Sequence, residues 1–203
     1  MKYLEKISRK IVIFLLYIYC KIVYRVKVIG VENIPLKGSL IFCGNHRNYL
    51  DPCLIMITIK RETRFLAKDE LQKNTFLKFL GKLFDIIFVK RDSKDITAMK
   101  ESVKTLKSGN CIALFPEGTR NGLEKNDGKI KNGAAYMALK TGSKVVPIGI
   151  QGPAKPFTKN IIIYGKPLDF SEYSASKKIE KEIEDKVSDI IKNEIINLSN
   201  MNV

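Results

Sequence analysis

Short apolar runs alternate along the chain with segments in which apolar residues recur every three or four positions. The short runs predict strands, and the periodic segments predict helices. The predicted strands cover residues 25–30, 39–43, 64–67, 85–89, 111–115, 144–150 and 161–164. The predicted helices cover residues 1–24, 52–59, 74–84, 95–107, 133–141 and 174–198. Strands alternating with helices predict an α/β fold, a single layered domain whose mixed, mostly parallel sheet is flanked by helices.

The amino-terminal segment, residues 1–24, differs from the other predicted helices in composition. Its apolar run extends from Ile11 to Tyr24 and is interrupted by Lys21, so it falls short of the ~20 apolar residues that cross a bilayer. No small-residue cleavage site of a signal peptide follows Cys20. Cations and tyrosines flank the run, which is typical of a helix lying in the headgroup region of an anionic membrane. A core helix with solvated lysines is the alternative.

Positive charge is the most unusual property of the composition. The 203 residues include 36 lysines and arginines against 21 acidic residues, a formal net charge of +15. This charge favours anionic partners such as phospholipid headgroups, phosphorylated metabolites, nucleic acid or an acidic protein. The single histidine, His46, excludes a multi-histidine metal site, and the four cysteines form no C-x-x-C pair. We expect no metal, and we expect the reduced, buried cysteines of a cytosolic domain.

Two loops that follow predicted strands contain the residues best suited to chemistry, since sites in parallel sheets gather beyond the carboxyl ends of strands. The first loop, GNHRNYLD, places His46 five residues before Asp51. Histidine can remove a proton near neutral pH, and a carboxylate on its other ring nitrogen would orient it. No serine or cysteine stands in a nucleophile elbow, which favours a base acting directly on a bound acceptor. A packed histidine beside an N-capping Asp51 is the alternative.

The second loop, FPEGTR, ends the strand at 111–115 in a sharp turn with a carboxylate, a hydroxyl and a guanidinium. Gly118 permits close approach of the backbone, and Glu117 could hold an arginine or a substrate hydroxyl. The cations that follow predicted strands are Lys68, Arg91 and Arg120. Arginine has the planar fork that suits a phosphate monoester, so these residues predict a basic pocket beside His46. An ordinary turn with a solvated arginine is the alternative.

Taken in order, the motifs NHRNYLD, FVKR, FPEGTR and VPIGI resemble the four blocks of the glycerolipid acyltransferase superfamily. Within it the chain most resembles the small bacterial 1-acylglycerol-3-phosphate acyltransferases. The resemblance extends from about residue 25 to residue 170, and the first and third blocks match without departure.

The resemblance implies acyl transfer from a thioester of coenzyme A or acyl carrier protein to the free hydroxyl of lysophosphatidic acid, which makes phosphatidic acid in phospholipid biosynthesis. By position it implies His46 as general base and Asp51 as the carboxylate that orients it. It implies phosphate binding by Lys68, Arg91 and Arg120, a glycerol site shaped by Glu117 and Gly118, substrate binding by Asn45 and Thr119, and a structural Pro147 near the acyl channel. It also implies no metal and no prosthetic group.

The predicted organisation has three parts: a basic amphipathic membrane-interface helix over 1–24, an acyltransferase domain over 25–170, and a carboxy-terminal helix over 171–203 that packs on or extends the domain. We expect a peripheral or monotopic protein on the cytoplasmic face of the cell membrane, with an anionic membrane surface as partner and no nucleic acid. Acyl transfer to glycerol-3-phosphate or to another lysophospholipid is an alternative. A non-catalytic basic protein that binds membrane or nucleic acid is another.

Overall fold

A seven-stranded sheet lies at the centre of the computed structural model, which describes residues 2–90, 95–121, 123, 130–153, 155–173 and 179–203. The strands are β1 Val26–Ile29, β2 Leu40–Gly44, β3 Thr63–Lys68, β4 Ile87–Val89, β5 Cys111–Leu114, β6 Lys144–Gln151 and β7 Asn160–Tyr164. The helices are α1 Lys2–Val23, α2 Asp51–Thr58, α3 Thr75–Leu83, α4 Ile96–Lys107, α5 Gly133–Thr141 and α6 Lys181–Ser199.

The strand order is β1-β7-β6-β2-β5-β3-β4. Neighbouring strands are parallel except β6 and β7, which are antiparallel. The predicted mixed, mostly parallel α/β sheet is therefore confirmed. The strands β2, β3, β4, β5 and β6 all end at the same edge of the sheet, here called the carboxyl edge, and β1 and β7 begin there.

Helices cover both faces of the sheet, which explains why every residue of β2 is buried. One core packs α1 and α2 against a face that includes Phe42, Phe65 and Tyr164. The other core packs α4, α5 and α6 against the opposite face, with Ile41 and Ile112 at its centre. Helix α6 contributes to this second core along most of its length, through Val187, Ile191 and Ile195.

Helix α1 has one buried side and one exposed apolar side. Leu16, Cys20 and Val23 pack into the first core. A stripe of large apolar side chains faces away from it: Ile7, Ile11, Phe14, Leu15, Ile18 and Ile22. Within the described ranges, no helix combines the length and the apolar content needed to cross a bilayer.

The possible cap of α2 and the predicted start of the last helix differ from the structure. Asp51 is a possible N-cap of α2 by sequence, but Leu50 occupies the N-cap position without a side-chain hydrogen bond, and Asp51 is the first helical residue. The last helix was expected to begin at residue 174, which lies outside the described residues. Glu180 is still extended, so α6 begins at Lys181. Its acidic first turn suits the positive end of the helix dipole.

All four cysteines are free, as expected for a reduced domain. Cys20, Cys43 and Cys111 are buried, whereas Cys53 is half-buried. Burial raises the pKa of each of these thiols, and that of Cys20 to about 11.

Candidate active site

The two motif loops leave neighbouring strands at the same edge of the sheet. Strands β2 and β5 are parallel, and Cys43 near the end of β2 pairs with Leu114 at the end of β5. The chain therefore enters NHRNYLD and FPEGTR side by side, although about seventy residues separate them in sequence. The carboxyl edge brings the two loops together, as the sequence predicted.

His46 and Asp51 form a hydrogen-bonded pair. The His46 Nδ1 lies 2.9 Å from the Asp51 Oδ2. An ionised carboxylate only accepts hydrogen bonds, so Nδ1 carries the proton and donates it. The other ring nitrogen, Nε2, is then left with a lone pair that can take a proton. The His46 side chain keeps 19% of its surface exposed, whereas that of Asp51 keeps 1%.

The Asp51 carboxylate turns back toward the loop and does not cap the helix that it begins. Its Oδ2 also accepts hydrogen bonds from the backbone N–H groups of Arg47 at 2.6 Å and Asn48 at 2.7 Å. Hydrogen bonds to an ionised acceptor are roughly twice as strong as neutral ones. One buried oxygen thus fixes both the imidazole and the turn that presents it.

The second loop holds His46 from the other side. The Glu117 Oε1 accepts a hydrogen bond from the His46 backbone N–H at 2.7 Å, and the His46 carbonyl accepts one from the Asn121 N–H at 2.6 Å. The Phe115 ring stacks on the imidazole, with ring centroids 4.2 Å apart and planes 20° apart. Both the position of the His46 backbone and the plane of its ring are therefore set by the FPEGTR loop.

Arg120 of the second loop contacts the ring of Tyr49 in the first loop. Its guanidinium carbon lies 3.5 Å from the ring centroid of Tyr49, within the range of a cation–π interaction. Gly118 adopts a left-handed conformation, with φ of +65°. A Cβ atom there would lie 2.9 Å from the Cε atom of Lys131, so the missing side chain makes room for a second cation beside the turn.

The remaining predicted site residues differ in their surroundings. Asn45 is buried, and its side chain accepts a hydrogen bond from the Ile150 N–H at 2.6 Å and donates one to the Ile150 carbonyl at 3.0 Å. Lys68 ends β3 at the carboxyl edge, and Thr119 is half-buried in the FPEGTR turn. Arg91 lies outside the described residues.

Both oxygens of Glu117 are engaged by the backbone. Besides the His46 amide, the Oε2 accepts a hydrogen bond from the Leu123 N–H at 3.0 Å, and the residue is 4% exposed. The family resemblance implied substrate roles for Glu117 and Asn45, and their observed contacts hold loops and a strand in place.

Sequence reasoning missed four residues that complete the site: Tyr49, Phe115, Asn121 and Lys131. The two aromatic residues stand inside the quoted motifs, so their position was available, but nothing local reveals which ring meets His46 and which meets Arg120. Lys131 lies eleven residues beyond Arg120 in a lysine-rich stretch. The fold brings Lys131 next to the FPEGTR turn, where its backbone N–H donates a hydrogen bond to the Pro116 carbonyl at 2.8 Å.

The geometry suits proton removal from the hydroxyl of a substrate that also has an anionic group. A base with a fixed tautomer stands at the carboxyl edge, and Arg120 and Lys131 supply positive charge on the adjacent turn. The Acyltransferase family model matches residues 25–151, a range that contains both loops and β6. The chain belongs to the Acyltransferase family.

Proteins similar in sequence to this chain have names that state an activity. The chain is 36% identical over 141 residues to a 1-acyl-sn-glycerol-3-phosphate acyltransferase of Borreliella burgdorferi, a match covering 68% of this chain and 56% of the relative. It is 28% identical over 155 residues to the enzyme of the same name from Bacillus subtilis, covering 73% of this chain and 76% of the relative. The chain thus spans little more than half the length of the Borreliella relative.

A solved structure supports the fold along nearly the whole chain. The 1-acyl-sn-glycerophosphate (LPA) acyltransferase PlsC from Thermotoga maritima superimposes with a TM-score of 0.68 at 26% identity. The match covers 98% of this chain and 84% of that protein. It therefore includes α1 and α6 in addition to the family region.

Proposed function

We propose that this protein transfers a fatty acyl group from an acyl thioester to the free hydroxyl of 1-acylglycerol-3-phosphate, which makes phosphatidic acid. The observation that carries the proposal is the His46–Asp51 pair held against the FPEGTR loop inside an Acyltransferase domain. The relatives from Borreliella and Bacillus bear this activity in their names. Acyl-CoA and acyl carrier protein are both suitable donors, and no metal or prosthetic group takes part in the proposed reaction.

His46 acts as the general base in this reaction. Its Nε2 removes the proton of the acceptor hydroxyl as the oxygen attacks the carbonyl carbon of the thioester. The C–O bond forms, the tetrahedral intermediate collapses, the C–S bond breaks, and the proton on His46 goes to the leaving sulfur. Asp51 keeps its negative charge throughout and stabilises the imidazolium that forms between these steps.

The cations of the second loop bind the acceptor phosphate. Arg120 offers a planar guanidinium, and Lys131 supplies an ammonium close to Gly118. Lys68 stands at the same edge of the sheet, and Arg91 completes the proposed set by its place in the motif order. Thr119 and the Gly118 backbone line the glycerol portion of the site.

Asn45 and Glu117 act through other groups and are positioning residues in this proposal. Asn45 ties the start of the first loop to Ile150 of β6 with two hydrogen bonds. Glu117 ties the backbone of His46 to that of Leu123. Both side chains are buried, and their polar atoms make their hydrogen bonds to the protein backbone.

The proposal includes a peripheral or monotopic position on the cytoplasmic face of the membrane. The exposed apolar stripe of α1 supports it, because six large side chains on one side of a basic helix match the interface of an anionic bilayer. A two-chain product must return to the bilayer, so an enzyme held at the interface meets both acceptor and product.

The test supplies purified protein with labelled lysophosphatidic acid and either acyl-CoA or acyl carrier protein loaded with the same acyl chain. We expect labelled phosphatidic acid together with one thiol released per lipid formed. Glycerol-3-phosphate and other lysophospholipids are run in parallel as acceptors. Equal or greater transfer to one of these would replace the proposed acceptor, and absence of thiol release with every pair would refute the proposed reaction.

A further inference from the structure

Helix α3 presents large apolar side chains to solvent. Phe76 is 66% exposed and Phe79 is 61% exposed, and Leu77 beside them is also exposed. Positions three residues apart share one face of a helix, so the two phenylalanines form one patch. The exposed lysines Lys73, Lys78 and Lys82 border the patch, and the helix itself has no acidic residue. These residues are here called the α3 face.

The topology places α3 on the same side of the sheet as α1. The crossovers β2–α2–β3 and β3–α3–β4 advance in the same direction along the sheet, and right-handed crossovers put their helices on the same face. That face holds the core formed by α1 and α2. The side chain of Arg9 on α1 donates a hydrogen bond from Nε to the carbonyl of Leu83 at 2.8 Å, which joins α1 to the end of α3.

The α3 face also lies toward the active-site edge. Strand β3 ends at the carboxyl edge, and α3 begins one short turn, Asp69–Lys73, after it. Phe76 and Phe79 are in the first half of the helix, near the edge where His46 stands. The carboxyl end of α3 runs to the opposite edge, where β4 begins.

We propose that the α3 face lies on the surface of an anionic bilayer together with the exposed stripe of α1. Apolar rings bordered by lysines, without acidic residues on the helix, are complementary to acyl chains beneath negatively charged headgroups. Two contacts on one side of the sheet fix how the protein is rotated on the membrane more closely than the α1 stripe does by itself. This orientation turns the carboxyl edge, where His46 lies, toward lysophosphatidic acid in the bilayer. That consequence rests on the proposed function.

The test compares the full chain with the double variant Phe76→Ser/Phe79→Ser. The matched control is Leu36→Ser, because Leu36 is 88% exposed but lies between β1 and β2 at the opposite edge. Co-sedimentation with vesicles of phosphatidylglycerol and phosphatidylcholine is measured without acyl donor. We expect the double variant to bind about tenfold more weakly, the control to bind like the unmodified chain, and all three to share one thermal unfolding midpoint.

A second variant, Lys78→Glu, tests the charge on the α3 face. We expect weaker binding to vesicles that contain phosphatidylglycerol and unchanged binding to pure phosphatidylcholine. Equal vesicle binding by the double variant and the control would overturn the proposal. A dimer of the unmodified chain that becomes monomeric in the double variant, with vesicle binding unchanged, would also overturn it and assign the α3 face to self-association.

Activity assays separate this proposal from the proposed function. The double variant should lose about tenfold in transfer to vesicle-borne lysophosphatidic acid and keep its rate, within about twofold, on a short-chain acceptor below its micellar concentration. Failure of the unmodified chain to transfer acyl groups to either acceptor would refute the proposed function alone, since vesicle binding is read without any reaction.

Discussion

At the scale of single residues, His46 is the point where the two motif loops join. Its ring is held by Asp51 and Phe115, and its backbone is held by Glu117 and Asn121. Replacing the side chain removes the ring contacts but keeps both backbone hydrogen bonds. The loops are therefore expected to stay together in a variant without the imidazole.

We predict that His46→Ala abolishes acyl transfer while the protein stays folded. Asp51→Asn should lower the transfer rate on the order of 10²-fold or more, because an amide no longer favours the productive tautomer or stabilises the imidazolium. Steady-state rates and thermal unfolding of both variants are the measurements. A folded His46→Ala protein with substantial activity would remove His46 from the role of base.

A second prediction at the scale of residues concerns Arg120 and the ring of Tyr49 that it contacts. Arg120→Ala should raise the acceptor KM with little change in kcat, because the phosphate is bound in both ground and transition states. The lost charge-assisted contact corresponds to about 1.5–3 kcal/mol. Tyr49→Ala should raise the same KM only a few-fold, since an exposed cation–π contact contributes about 0.5–1 kcal/mol.

Tyr49→Phe is the control for this pair, because phenylalanine keeps the ring that faces the guanidinium. It should restore the acceptor KM to within about twofold of the unmodified value. An acceptor KM that is unchanged in Arg120→Ala would show that this guanidinium does not bind the phosphate. A defect shared equally by Tyr49→Ala and Tyr49→Phe would point to the hydroxyl and not to stacking.

At the scale of elements, α1 serves both the core and the surface. Its buried side contributes Leu16, Cys20 and Val23 to the core around α2, and its exposed side carries the apolar stripe. Deleting residues 1–24 would therefore remove the proposed membrane contact and open the core at the same time. Substitutions on the exposed side separate these two effects.

We predict that Ile11→Ser/Phe14→Ser/Ile18→Ser weakens binding to anionic vesicles without lowering the thermal unfolding midpoint. The deletion of residues 1–24 should weaken binding and also lower the midpoint, because buried apolar area is lost. Co-sedimentation at low and high salt, together with calorimetry, distinguishes the two. Vesicle binding by the triple serine variant equal to that of the unmodified chain would exclude the α1 stripe as a membrane contact.

The contact between β6 and α6 gives a prediction about stability. A Cβ atom on Gly149 would lie 2.4 Å from the carbonyl carbon of Leu198, so the end of α6 must move to admit any side chain. Gly149→Val should lower the free energy of unfolding by about 1–3 kcal/mol. Gly133→Ala is the control, since its Cβ would meet only Met99 Cε at 3.7 Å. Equal denaturation midpoints for the two variants would contradict this packing.

At the scale of the whole molecule, the buried thiols link stability to alkaline pH. Burial raises the pKa of Cys20 from 9.0 to about 11, so the folded state favours the protonated thiol. The resulting stability is fully present below the unfolded pKa and is lost as pH rises from about 9 to about 11. Burial raises the pKa of Cys43 and Tyr164 as well, which adds to the loss in alkali.

We predict that the free energy of unfolding falls between pH 9 and pH 11 and that Cys43 resists thiol reagents at pH 8 in the native protein. Few thiolates form at a buried site, and reagents cannot reach it. Guanidinium titrations across pH and mass spectrometry of labelled protein provide the measurements. Cys20→Ser should flatten part of the pH dependence, and rapid native labelling of Cys43 would contradict the closed core around β2.

Much of this protein was predictable because its signals are local in sequence. Apolar runs and helical periods predicted every strand of the sheet and the α/β class, since strands buried on both faces read as apolar runs and helices with one buried side have a helical period. The five-residue spacing inside one loop allowed the pairing of His46 with Asp51, and the structure decided between it and the packed histidine. The motif order also indicated the family that the comparison later identified.

Only the tertiary structure decided how the loops use their polar groups. Asp51 turns away from its helix to the His46 ring, Glu117 and Asn45 are buried on backbone groups, and Lys131 returns to the turn at Gly118. The partners in these contacts depend on the pairing of β2 with β5 and β6, which joins segments up to about a hundred residues apart. Likewise, the sequence contains the apolar side chains of α1 and α3, but tertiary structure puts both on one side of the sheet, since α1 packs into the core beside α2 and the right-handed β3–α3–β4 crossover places α3 on that face.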